Sequence, residues 1–165
     1  MVQEKTIEEL QLTPDSPIWV YQSSTLLSEE QVNHIHTKLT QFISSWQSHG
    51  NALAGDFTIV SNRFIILGVN NSQATASGCS IDSSVHIIQE LEKDLSISLL
   101  DKSHVAFETT EGIQMVDFRK IKDAIASQVI TKDSFVFNNQ VNTYLALLNN
   151  WKVSIDKSWV DRFFR

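Results

Sequence analysis

The order of hydrophobic periods limits this chain more than any other feature. Ile18-Trp19-Val20-Tyr21 is a short β-branched and aromatic run, the mark of a strand. Val32, Ile35, Leu39, Phe42, Ile43 and Trp46 then recur at helical spacing. Phe57-Thr58-Ile59-Val60 and Phe64-Ile65-Ile66-Leu67-Gly68-Val69 read as two more strands, joined through Ser61-Asn62 as a short hairpin. Ile81, Val85, Ile88, Leu91 and Leu95 form a second helical stripe, and His104-Val105-Ala106-Phe107 reads as another strand. Strand, helix, strand, strand, helix, strand is the ferredoxin-like order. The spacing therefore predicts an α+β fold with a ferredoxin-like βαββαβ core. Strands near 18–22, 57–61, 63–70 and 104–109 form one antiparallel sheet, with helices near 28–47 and 80–95 on one face.

Local signals sharpen the boundaries. Ser28 and Gln31 have the spacing of a capping box, and Leu27 and Val32 that of a hydrophobic staple. The first helix is expected to stop near Gly50. Residues 1–14 read as a loosely ordered lead-in before Pro14 and Pro17. Glu111-Gly112 turns into Ile113-Gln114-Met115-Val116. A C-terminal α/β extension over 117–165 adds a helix near 117–128, a strand Phe135-Val136-Phe137, a helix near 140–148 and an aromatic tail. The whole of 1–165 reads as a single domain. Ile18–Tyr21 and Phe64–Leu67 do not alternate polar with apolar, so both faces of the sheet are expected to be covered. The extension, through Trp151, Trp159, Phe163 and Phe164, or a second subunit would cover the open face, the extension being preferred because so apolar a tail should not stay exposed.

Composition excludes several function classes. The chain is 42% apolar and 19% charged over 165 residues, with a net charge of −6, and Lys and Arg do not cluster. That argues against nucleic acid and against an anionic membrane surface. The N-terminal residues carry no hydrophobic signal core, and no apolar run reaches the ~20 residues that span a bilayer. A cytoplasmic location follows as the default. A single cysteine makes neither an internal disulfide nor a thiolate zinc site.

That cysteine gives the first candidate site. Ala74-Thr75-Ala76-Ser77-Gly78-Cys79-Ser80 delivers it to the start of a helix, where free N–H groups and a partial positive charge favour a thiolate or a bound anion. Cys79, Asp82 and His86 are three and four residues apart and share one helix face, opposite the apolar stripe. These residue types suit covalent catalysis, but seven residues span about 10 Å along a helix axis, too far for a direct thiol–imidazole hydrogen bond. The plainer reading is a small cysteine at a helix start, with Asp82 serving the dipole and His86 in solvent. Ser77, Gly78 and Ser80 are candidate ligand contacts, Ser77 or Ser80 being the cap. Arg63 is a candidate anion partner near Gly78, or a cationic edge residue. His49 is a further candidate beside Trp46 and Gly50. His34 and His36 diverge by about 200° on a helix and cannot share a metal, so no metal site and no cofactor is expected.

Several blocks together carry a resemblance. Trp46-Gln47-Ser48-His49-Gly50, Asn62-Arg63-Phe64-Ile65-Ile66-Leu67, Ser77-Gly78-Cys79-Ser80-Ile81-Asp82-Ser83-Ser84-Val85, Val136-Phe137-Asn138-Asn139 and Ser158-Trp159-Val160-Asp161-Arg162-Phe163-Phe164 resemble a small uncharacterised family from Bacteroidetes, commonly labelled "ABC transporter ATPase". The resemblance runs from about Ile18 to the end and implies no catalytic residue, because the family carries no established activity. The label itself is testable. A phosphate loop of the form G-x-x-x-x-G-K-[ST] needs a glycine followed by lysine. None of Gly50, Gly55, Gly68, Gly78 and Gly112 is followed by one, and there is no Leu-Ser-Gly-Gly-Gln signature. The residues do not support ATP hydrolysis.

Taken together, the residues point to a non-catalytic binding or interaction module for a protein or small ligand, as monomer or homodimer. The alternatives are a small thiol-dependent enzyme using Cys79, or an anion-binding regulatory domain at the 77–82 helix start.

Overall fold

A computed structural model describes residues 3–72 and 74–165. The fold is α+β with antiparallel sheets. It divides into two compact units, Met1–Leu100 with Gln140–Leu148, and Asp101–Asn139 with Asn149–Arg165. Among the described residues no helix is long and apolar enough to cross a membrane.

The first unit contains β1 (Ile18–Gln22), α1 (Glu29–Ser45), β2 (Gln47–Ser48), β3 (Asn51–Ala52), β4 (Ala54–Val60), β5 (Phe64–Asn70) and α2 (Gly78–Leu95). Its main sheet has the order β1-β5-β4, all antiparallel. Val60 pairs with Phe64, so Ser61, Asn62 and Arg63 form the loop, with Ser61 and Asn62 both at positive φ. α1 begins as its sequence requires: Ser28 Oγ accepts from the Gln31 N–H, and Gln31 Oε1 accepts from the Ser28 N–H.

Alternation along the strands sorts the core. Ile65, Leu67 and Val69 join Tyr21, Phe57 and Ile59 on one face. There they meet Val32, Ile35 and Leu39 of α1 and Ile88 and Leu91 of α2 in a single cluster. Both helices therefore cover the same face, as the spacing predicts. They run antiparallel along an ionic seam. His34 Nε2 lies 2.9 Å from Asp94, and Lys38 Nζ 3.5 Å from Glu90 and 3.4 Å from Asp94.

The opposite face carries Asp56, Thr58 and Gly68, and the lead-in lies across it. The Thr58 hydroxyl donates to the Lys5 carbonyl. The buried Asp56 carboxylate accepts from Lys5 Nζ at 2.9 Å, the Gln11 N–H at 2.8 Å and the Phe57 N–H at 2.9 Å. Leu12 packs directly on Gly68, and the Tyr144 hydroxyl donates to the Ile7 carbonyl at 2.8 Å. Residues 3–14 of a segment expected to pack loosely are thus fastened, because a buried Asp and Thr need polar partners and the Lys5 ammonium, the Lys5 carbonyl and the Gln11 N–H supply them; residues 1 and 2 lie outside the described residues.

The four-stranded ferredoxin-like sheet is not formed. The second unit contains β6 (His104–Thr109), β7 (Gly112–Asp117), α3 (Ile121–Ala126), β8 (Phe135–Phe137) and β9 (Lys152–Ser154), while most of α4 (Tyr144–Asn150) belongs to the first. β6, the expected fourth strand, joins a separate sheet of order β7-β6-β8-β9. The cause is local. Thr109 pairs with Gly112, whose φ of 97° closes a tight turn, so β6 finds a neighbour without closing a long loop. The place beside β1 is marked instead by one antiparallel bridge, Pro17 to Thr143, in which the Ile18 N–H donates to the Asn142 carbonyl at 3.2 Å and the Tyr144 N–H to the Ser16 carbonyl at 2.9 Å.

The aromatic tail belongs to its own unit's core. Val160, Phe163 and Phe164 pack with Phe107, Val116, Ile121, Val136 and Ile155, and the Trp151 ring lies 5.1 Å from that of Phe137. Trp159 is exposed. On the first sheet's open face the lead-in is joined by the 140–148 part of the extension, whose Tyr144 hydroxyl bonds the Ile7 carbonyl and whose Thr143 bridges to Pro17.

Candidate functional site

α2 starts where the small-residue run ends. Ser77 is its cap: Ser77 Oγ accepts from the Ser80 N–H at 3.3 Å, and Ser80 Oγ accepts from the Ser77 N–H at 2.6 Å. Serine here fills the place that Glu or Gln takes in the usual capping box. Ser80 is buried, and its carbonyl accepts a 2.8 Å hydrogen bond from the Trp46 indole N–H. Ser77 and Ser80 are therefore spent on holding the helix start. Gly78 is exposed, and a Cβ there would meet nothing within 4 Å, so close packing does not explain this glycine.

Burial along α2 differs from the expected stripe. The buried positions are Ser80, Ser84, Ile88 and Leu91, whereas Ile81 is exposed and Val85 only half-buried. Each buried serine satisfies its hydroxyl on its own helix, Ser80 to the Ser77 carbonyl at 2.8 Å and Ser84 to the Ile81 carbonyl at 2.6 Å. Small side chains let α2 approach Trp46 and Tyr21 closely. Burial raises the Tyr21 phenol above its ordinary value, with the hydrogen bond to Ser84 acting in the opposite direction.

Cys79, Asp82 and His86 do share an exposed face of α2. Among the described residues no side chain hydrogen-bonds the Cys79 thiol. The carbonyl of Cys79 is engaged by Ser83 Oγ at 3.0 Å, one turn on. Among the described residues no cluster of three His, Cys, Asp or Glu side chains could hold a metal ion.

Arg63 is not near Gly78. Its carbonyl accepts from the Ser23 N–H at 2.7 Å, and the next residue, Ser24, donates to Ser98, just past the far end of α2. An α-helix of this length, 18 residues, measures about 27 Å, so Arg63 stands at the end opposite Gly78 and cannot share an anion with it. There its Nη1 donates to the Ser23 carbonyl at 3.3 Å, and burial lowers its guanidinium below the ordinary value. The reason is the strand direction: β5 starts at Arg63, and α2 follows the opposite end of β5.

His49 occupies a feature that helical periodicity hid. α1 ends at Ser45, and Gln47–Ala52 form a small hairpin, β2 to β3, with His49 and Gly50 as its turn at φ 51° and 80°. Positive φ at both central residues is the twist a two-residue hairpin requires. Beside this hairpin runs an open groove of about 570 Å³, lined by Ser48, His49, Asn51, Ala52, Asn71, Ala74 and Thr75. Five of these offer hydrogen-bonding side chains, two are methyls, and none carries a fixed charge. Ala74 and Thr75 belong to the small-residue run already singled out, and His49 was a candidate, but sequence reasoning missed Ser48, Asn51, Ala52 and Asn71; the His49-Gly50-Asn51 turn signal right after the helix was the available clue.

A second polar cluster also went unread. In the second unit Ser103 Oγ donates to Asp101 at 2.9 Å and lies 2.9 Å from His104 Nδ1. Asp101 also accepts the Ser103 N–H at 2.9 Å, which holds its carboxyl below the usual range. This is the turn that leads into β6.

Comparison with protein-family models, with curated proteins and with solved structures finds no match to this chain.

Proposed function

We propose that this chain is a non-catalytic binding module and that its ligand is a small polar molecule held in the groove that the β2–β3 hairpin forms with Asn71, Ala74 and Thr75. The observation that carries this is the groove itself. About 570 Å³ lined by Ser48, His49, Asn51, Asn71 and Thr75 is in the size range of small-molecule sites, and its polar groups converge from two stretches of the chain. The hairpin is shaped by its His49-Gly50 turn, and Asn71, Ala74 and Thr75 lie between the end of β5 and the cap of α2. Donors and acceptors in such a setting orient a ligand without chemistry. The thiol-dependent alternative has less support, since Cys79 faces solvent with no base bonded to it.

In the same reading, the order β1-β5-β4 is a ferredoxin-like core whose fourth strand is reduced to the Pro17–Thr143 bridge. The chain belongs with the uncharacterised Bacteroidetes family that its Ser77–Val85 block resembles.

The test is a titration of isotope-labelled protein with a library of small polar molecules, read by amide chemical shifts, in wild type and in Ala52→Trp, which fills the groove. Shifts confined to 48–52 and 71–75 that vanish in Ala52→Trp support the proposal. Shifts elsewhere, or none, overturn it. Turnover of an activated acyl substrate that is lost in Cys79→Ser would establish the thiol enzyme instead.

A further inference from the structure

We draw no further inference here: the strongest candidate outside the groove, the hydrogen-bonded chain Asp101–Ser103–His104 at the entry to β6, is an exposed acidic turn, and nothing among the described residues points to a ligand there.

Discussion

Gly68→Ala tests whether the lead-in is part of the first unit's core. A Cβ built on Gly68 lies 2.7 Å from Leu12 Cδ1, 3.0 Å from Ile18 Cγ2 and 3.3 Å from Leu12 Cδ2. Ile18 is fixed within β1 at 2% exposure, so Leu12 must give way, and the lead-in with it. Overpacking of this kind costs about 1–3 kcal/mol, and the lower chain entropy of unfolded alanine returns about 0.4–1 kcal/mol. The expected net loss is about 1–2 kcal/mol. Leu12→Ala alone removes a half-buried side chain, at a loss of about 1–2 kcal/mol, below the full-burial range. In the double variant the new methyl enters the space that Leu12 vacated, so the two losses should fall short of additive by about 1 kcal/mol. Urea unfolding gives the midpoints, compared at constant slope, while hydrogen exchange at residues 5–12 shows whether the segment lifts. A Gly68→Ala protein as stable as wild type, or two strictly additive losses, would refute the packing argument.

Four further outcomes are expected. Gly50→Ala forces a Cβ into left-handed backbone at φ 80° and should cost about 1–2 kcal/mol, with amide shifts concentrated in 47–52. Iodoacetamide should alkylate Cys79 completely in the native protein, because the thiol is exposed; labelling only after denaturation would contradict this. At high pH, the raised Tyr21 phenol stabilises the fold below the unfolded value of about 10, and that contribution is lost as pH climbs past it toward the folded value. Tyr21→Phe should flatten the urea midpoint above pH 10. At low pH the signs reverse. Arg119 beside Asp117 and the His34 hydrogen bond to Asp94 hold those carboxyls below their ordinary range. Their stabilisation is present above about pH 4 and lost as pH falls through the folded values, and Asp117→Asn and Asp94→Asn should each shrink the acid-side drop in unfolding midpoint.

Much of the local structure was legible because it depends on neighbours in sequence. Ser28 and Gln31 announce α1, Ser61-Asn62 mark the hairpin, and the small-residue run narrows the cap of α2 to Ser77 or Ser80, of which Ser77 is the one used. Both helices sharing one face followed from strand and helix order alone. The candidate site was less legible. Cys79, Asp82 and His86 lie on one exposed face as their spacing requires, but spacing cannot say whether a base from elsewhere reaches the thiol. The groove joins Ser48, His49, Asn51 and Ala52 to Asn71, Ala74 and Thr75, residues whose approach depends on how α1 and β5 end.

What the sequence determined by itself, then, is most of what is set within a turn or two: the main helical periods, the caps, and the Ser61-Asn62 turn with its paired strands, though not the β2–β3 hairpin. What only tertiary structure decided is the choice among equally apolar partners. β6 could have completed the first sheet, yet its own hairpin offered pairing at the cost of a two-residue loop, and the closer partner won. α2 carries two possible buried stripes, and the one with Ser80 and Ser84 was taken, because small side chains that bond their own helix backbone admit Trp46 and Tyr21. The lead-in reads as polar and loose, but Asp56 and Thr58 on the open sheet face needed hydrogen-bond partners once buried, and Lys5 and Gln11 supply them. Burial creates that need, and no local pattern records it.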